Sequence, residues 1–265
     1  MSQSFASTPT AEVYRGLAGY FSLARDVARN LRLLRRGPVR DVLLRQIQRI
    51  GVATVSAMAV RAAGIGTIVI AYTTYVLAAD PAFAVRILVQ GVLREVGPLF
   101  GVIMLLVRSG TAAAAEFALM RERGELTGLR MMGISVRDYI VVPTVVAMAI
   151  SNLVVTFYFQ ILAVGGGMLI SALLMDVSFA ELAEHFFALA SLTDVLYTVI
   201  KSLAFGTLVG LVVCMHGLGL GGTEARLPDA VSRSVMQSIV AVMAFNAVFA
   251  YLVFGVLLFG IVRAP

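Results

Sequence analysis

Residues 139–174 read YIVVPTVVAMAISNLVVTFYFQILAVGGGMLISALL and hold no Asp, Glu, Lys or Arg. About 20 apolar helical residues already cross ~30 Å of hydrocarbon, so this run spans a bilayer with length to spare. Four further apolar stretches lie around it, at roughly 50–79, 85–115, 195–215 and 235–262. Each reaches crossing length, and the over-long ones imply tilt, kinks or helical extension beyond the bilayer. The whole chain of 265 residues is 60% apolar and 14% charged, with a mean hydropathy of +0.93. Soluble domains run near ~45–50% apolar and about 25% charged, and a core cannot hide the excess. Disordered, collagenous and coiled-coil chains are excluded on the same figures. The single cysteine, Cys214, cannot make an intrachain disulfide. The expectation is an all-α integral membrane protein of one domain, with five transmembrane helices within residues 41–265.

Towards the N-terminus the pattern changes. Met1 to Thr10 is polar and lacks the basic-then-apolar run of a cleavable signal peptide. Between Glu12 and Arg40, Val13, Leu17, Tyr20, Phe21, Ala24, Val27, Ala28, Leu31 and Leu34 recur at three- and four-residue steps. Arg15, Arg25, Arg29, Arg32, Arg35 and Arg36 occupy the remaining surface. An arginine-rich face opposite an apolar stripe suits an amphipathic helix lying in the membrane interface, within residues 1–40; packing on a protein partner is the other reading. Gly37-Pro38 breaks that helix.

Net charge is +6, carried by twenty arginines and one lysine. These cations flank apolar stretches, so they report topology rather than a nucleic-acid partner. Fifteen lie in residues 1–49, 116–138 and 217–234, against only Arg86 and Arg263 on the opposite side. That bias places the N-terminus in the cytoplasm and the C-terminus outside. Arg61, Arg94, Arg108 and Lys201 fall inside the apolar stretches.

No phosphate-binding G-x-x-x-x-G-K-[ST] loop is present, since the only lysine, Lys201, follows Val199-Ile200. His185, His216 and Cys214 do not form a metal-ligand pattern, and there is no G-x-S-x-G turn. Energy for any work must then come from another chain or from an ion gradient.

Two constellations carry chemistry. The first is Arg94-Glu95-Val96-Gly97-Pro98, in the outer half of the second span. Ionisable residues at that depth need water, protein or partners, and adjacent helix positions do not face each other. Pro98 lacks an N–H and its ring clashes with the carbonyl of Arg94, so the bend and the charges coincide. Lys201, six residues into the fourth span, sits at a comparable depth. Together Arg94, Glu95 and Lys201 are expected to line a polar pocket open to the outer leaflet and suited to a charged headgroup. Gly110 and Ala112–Ala115 are expected to let helices approach closely and slide.

The second is the cytoplasmic segment 116–138, with four acidic and four basic residues. Phe117, Met120, Leu126, Leu129 and Met132 recur at helical spacing, Gly133 is a natural C-terminal cap, and Ser135 with Asp138 fits the N-terminus of the third span. This reads as a short amphipathic helix outside the bilayer. Its balanced charge suits docking to a cytoplasmic protein better than anchoring to lipid.

The run LREVGPLFGVIMLLVRSGTAAAAEFALMRERGELTGLRMMGI, Leu93 to Ile134, resembles the MlaE/YrbE permease family of the MCE-linked lipid ABC transporters. The matching positions are Arg94, Glu95, Gly97 and Pro98, then Arg108 and Gly110, then Ala115, Glu116, Met120 and Arg121, then Met132 and Gly133. Arg45-Gln46 before Gly51, Pro143 and Lys201-Ser202 match as well. Tyr72, where the family often has glutamine, and the segment Thr223 to Pro228 depart from it.

The resemblance implies a homodimeric inner-membrane permease that moves phospholipid or another lipid. It implies a cavity at the dimer centre, here near Arg94, Glu95, Pro98 and Lys201, and a periplasmic MCE-domain partner. The segment holding Glu116, Met120, Arg121, Glu122, Glu125, Leu126, Leu129, Met132 and Gly133 would be the coupling helix seated in a separate cytoplasmic ATPase. ATP and Mg2+ would bind that ATPase, with no cofactor on this chain. The competing reading is a subunit of an ion-coupled secondary transporter, for which Glu95 is the clearest membrane-embedded acid.

Overall fold

The computed structural model describes residues 9–30, 32, 37–52, 62, 64–65, 68, 85–86, 88–174, 178–220 and 227–262. Most of the expected first span, including Arg61 and Tyr72, lies outside the described residues, as do Leu31, Leu34, Arg35, Arg36 and the 223–226 segment.

Every described element is helical. α1 (Pro9–Asn30) is followed by α2 (Gly37–Ile47), which runs into a π-helical segment, Gln48–Val52. Four pieces make up the next rod: a π-helical Leu88–Val96, α3 (Gly97–Leu105), a π-helical Leu106–Gly110 and α4 (Thr111–Glu122). The short α5 (Glu125–Met131) leads through a π-helical Arg137–Val141 into α6 (Val142–Leu174). α7 (Phe179–Leu189), α8 (Leu192–Gly217) and α9 (Leu227–Val262) complete the chain. Among the described residues, four rods are long and apolar enough to cross a membrane: Val89–Glu122, Arg137–Leu169, Leu192–Gly217 and Leu227–Leu252.

Glycine decides how the central helices meet. A Cβ added at Gly206 of α8 would stand 2.6 Å from the Cα of Ala149 and the carbonyl oxygen of Met148 on α6, and one at Gly210 would stand 2.9 Å from the Cα of Val145. Backbone therefore touches backbone along this crossing. A Cβ at Gly101 of α3 would likewise meet Thr156 Oγ1 at 2.5 Å. The expected small-residue stripe contributes differently: Ala114 is buried beneath Gly217, whereas a Cβ at Gly110 would meet only side chains. Close approach lets α6 bury a polar file, Asn152, Thr156 and Gln160, at four-residue steps. Asn152 Nδ2 donates to the Ser202 carbonyl at 2.8 Å.

The outer helices are held more lightly. In its most apolar stretch α9 has only 11% of its residues buried, against 72% for α6. α1 lies along the bundle with Leu23 and Val27 buried and Phe21 exposed. Its polar side is tied down by Asp26 to Arg137 at 2.7 Å and by Asn30 to Asp138 at 2.6 Å. The protein-packing alternative thus describes one face of this helix, and the partner is its own chain. The break expected at Gly37-Pro38 appears as the start of α2, where proline's missing N–H costs nothing.

Candidate functional site

Pro98 removes the N–H that an α turn would give to the Arg94 carbonyl and a π turn to the Leu93 carbonyl. Both carbonyls find side chains instead. Gln160 Nε2 of α6 donates to Leu93 O at 2.8 Å and Thr198 Oγ1 of α8 donates to it at 3.2 Å; Lys201 Nζ donates to Arg94 O at 3.2 Å. The expected kink is thus a π-helical stretch ending at the proline, with its freed acceptors satisfied by two neighbouring helices.

The charges pair across the same junction. Lys201, with no exposed surface, lies 2.8 Å from Glu95 Oε2, and Tyr197 donates to Glu95 Oε1 at 3.1 Å. Arg94 Nε donates to Asp194 Oδ1 at 2.5 Å. Asp194 is in turn fixed by the capping box at the start of α8, where the Ser191 N–H and hydroxyl both donate to its Oδ2 at 2.9 Å. Aromatic rings surround the ammonium, with the Tyr197 centroid at 5.2 Å and those of Phe205 and Phe249 at 5.9 Å each. Such ring faces stabilise a desolvated cation.

Arg94, Glu95, Pro98 and Lys201 therefore converge. The two adjacent ionisable residues take different partners, two turns apart on one face of α8. Asp194, Tyr197, Thr198 and Gln160 complete the cluster and were not among the expected residues. Their signal is spacing: 194, 197, 198 and 201 fall on one face of α8 at three- and four-residue steps. The four charges sum to zero, but the side chains of Arg94 and Glu95 remain 32% and 31% exposed. Beyond Nε, the guanidinium donors of Arg94 make no hydrogen bond among the described residues. The arrangement can present a guanidinium to an anion while the buried lysine holds its neighbour in place.

At the far end of the second span the expected helix over 116–133 is divided. Gly124, at φ 74°, ends α4 and starts α5. Glu116, Met120, Arg121 and Glu122 accordingly belong to the extension of the second span, and only Glu125–Met131 forms the separate helix. Gly133, at φ 73°, caps α5 as expected, with the Ile134 N–H reaching back to Leu129 O at 3.0 Å. Ser135 Oγ accepts from the Asp138 N–H at 3.4 Å.

Leu126 is buried, and Met120 and Leu129 are partly buried against the core. Arg121 packs beside Gly219, and Glu116 pairs with Arg49 at 2.7 Å. Glu122, Glu125 and Gly133 are exposed, and so is Met132 at 67%. Met131, at 84%, and Ile134 join Met132 to make an exposed apolar patch.

A family model, Permease MlaE, matches residues 43–252. The chain belongs to the MlaE permease family. It is similar to a probable ABC transporter permease of Synechocystis, 29% identical over 61% of this chain and 61% of that protein. A probable ABC transporter permease of Rickettsia conorii is 25% identical over 82% of this chain and 84% of its own. An intermembrane phospholipid transport system permease of Haemophilus influenzae is 24% identical over 64% of this chain and 66% of its own. The cluster around Arg94 and Lys201 and the exposed patch on α5 both lie inside the matched residues.

Proposed function

We propose that this chain moves phospholipid across or out of the cytoplasmic membrane as one half of a homodimer, driven by a separate ATPase and exchanging lipid with a periplasmic MCE-domain protein. The observation that carries the reading is the Arg94–Asp194 and Glu95–Lys201 pairing at a proline-interrupted helix in the membrane. Charge at that depth is expensive unless it is both paired and used. Arg94, half engaged and a third exposed, is the donor for the lipid phosphate; Glu95, Lys201 and Pro98 hold its position. The sparsely buried α9 is the surface for the second copy.

At the other end, Glu122, Glu125, Met131 and Met132 present the mixed apolar and acidic face that seats in the ATPase. Closure of the ATPase pushes α5, and the continuous rod from α4 to Pro98 carries that push to the cluster. The N-terminus faces the cytoplasm and α1 rests at the interface with Phe21 towards lipid. In an ion-coupled carrier, the coupling ion would have to displace Lys201 from Glu95 or Arg94 from Asp194, which argues against that reading. The test is Met131→Asp/Met132→Asp in the co-expressed complex. Loss of ATPase co-purification with unchanged thermal stability supports α5 as the docking element, and full retention contradicts it.

A further inference from the structure

A half-open cavity of about 590 Å³ lies away from the charge cluster, between α2, α4 and the beginning of α6. That volume is within the range of small-ligand sites, ~300–1,000 Å³. Among the described residues, three of the four π-helical segments meet at it, contributing Arg49 and Ile50, then Arg108 and Ser109, then Tyr139 and Ile140. Single π turns are costly and collect at functional sites. Two of these segments are tied directly, Ser109 Oγ donating to Ile50 O at 3.1 Å.

The lining is cationic at its rim and apolar within. Arg45, Arg49 and Arg108 stand against one carboxylate, Glu116, which Arg49 already neutralises at 2.7 Å. Arg45 and Arg108 are exposed and have no acidic partner among the described residues. Gln46 Oε1, on the same lining, is buried without a hydrogen-bond donor. Val42, Phe117, Met120 and Ile140 supply apolar wall. A free anion gains nothing from such walls, whereas an amphiphile fills both parts. Arginines with apolar stems belong at headgroup level, where anionic lipid is attracted to them.

We infer that this cavity is a second lipid site, taking the headgroup of an anionic, hydroxyl-bearing phospholipid from the cytoplasmic leaflet. Arg45 and Arg108 meet the phosphate, and a headgroup hydroxyl supplies the missing donor to Gln46. The site is independent of Arg94 and Lys201, so it stands even if the outer cluster proves purely structural. It rests only on the cytoplasmic placement of the arginine-rich side.

The full chain in nanodiscs is photolabelled with a diazirine-bearing phosphatidylglycerol, and the crosslinked peptides are mapped by mass spectrometry. The expected result is labelling within residues 112–120 or 139–144. It falls at least tenfold in Arg45→Gln/Arg108→Gln, by an intermediate amount in each single variant, and not at all in Arg94→Gln. The matching phosphatidylcholine probe labels several-fold less, and millimolar inorganic phosphate does not compete. Both arginines are exposed, so thermal unfolding of the variants should match the parent; the single variants carry the test if the double variant unfolds. Labelling unchanged in the arginine variants, equal for both lipids, or absent from these segments overturns the inference. Displacement by phosphate alone overturns the assignment to lipid.

Discussion

Lys201 puts an ammonium where no solvent reaches it, and the groups touching it must replace water. Glu95 Oε2, the Arg94 carbonyl and three aromatic faces do so. Removing one member of a buried pair strands the other, at about 3 kcal/mol or more. Glu95→Gln, which strands the fully buried ammonium, should therefore lower thermal stability by that order, and Lys201→Met by less, because the Glu95 carboxylate it strands is a third open. Glu95→Gln/Lys201→Met should recover much of the loss. Strictly additive losses in a double-mutant cycle would show that the pair is not coupled. Charge inside an apolar run is conspicuous, which is why Arg94, Glu95, Pro98 and Lys201 are legible in the sequence. Asp194 is not: it stands just outside the apolar stretch that begins at residue 195, where a carboxylate is ordinary. Only the capping box of α8 and the reach of Arg94 distinguish it. Gln160 is hidden for the opposite reason, since one amide in a long apolar run is tolerated without a stated partner.

Among the elements, the α6–α8 crossing is the least forgiving. Gly206→Ala would drive a methyl into the Ala149 backbone, and overpacking of that kind costs ~1–3 kcal/mol. Gly128→Ala, in α5 where nothing lies within 4 Å, should gain up to about 1 kcal/mol from helix propensity. Thermal unfolding of the two variants separates these cases, and similar shifts would contradict the packing account. The bend at Pro98 is legible because an absent N–H is a local property. Its π-helical form depends on Gln160, Thr198 and Lys201 arriving to take the freed carbonyls, which no local pattern announces. The division of 116–133 turns on Gly124 at φ 74°, one glycine among several in that stretch.

α1 carries a pH dependence of its own. Tyr20 donates to Gln237 Oε1 at 2.7 Å and lies 3.0 Å from His216 Nε2, joining α1 to α8 and α9; burial raises its phenol above the usual value of 10.0. A raised acid pKa means the folded state holds the proton more tightly, so the contribution is intact below pH ~10 and is lost as pH climbs past it. Tyr20→Phe should remove that alkaline loss, read as thermal stability against pH. An unchanged profile would assign the loss to other groups.

For the whole molecule, the all-helical membrane class follows from hydropathy, which lipid enforces on every spanning segment. Four of the five expected spans are described, and the first is described only at residues 50–52, 62, 64–65 and 68. The contrast between a buried α6 and a sparsely buried α9 belongs to tertiary structure, since both are apolar all along. Periodicity cannot say which apolar helix faces lipid, a partner or the core. Membership in the MlaE permease family rests on residues 43–252, which hold both the charge cluster and α5.

The most direct measurement is lipid analysis of the complex, purified from native membranes with its ATPase and its MCE-domain protein, for the parent chain and for Arg94→Gln. Phospholipid bound to the parent complex and depleted several-fold in a variant that still retains both partners is the predicted result. A complex without phospholipid, or an Arg94→Gln complex that carries the parent's full complement at the outer site, would contradict the account.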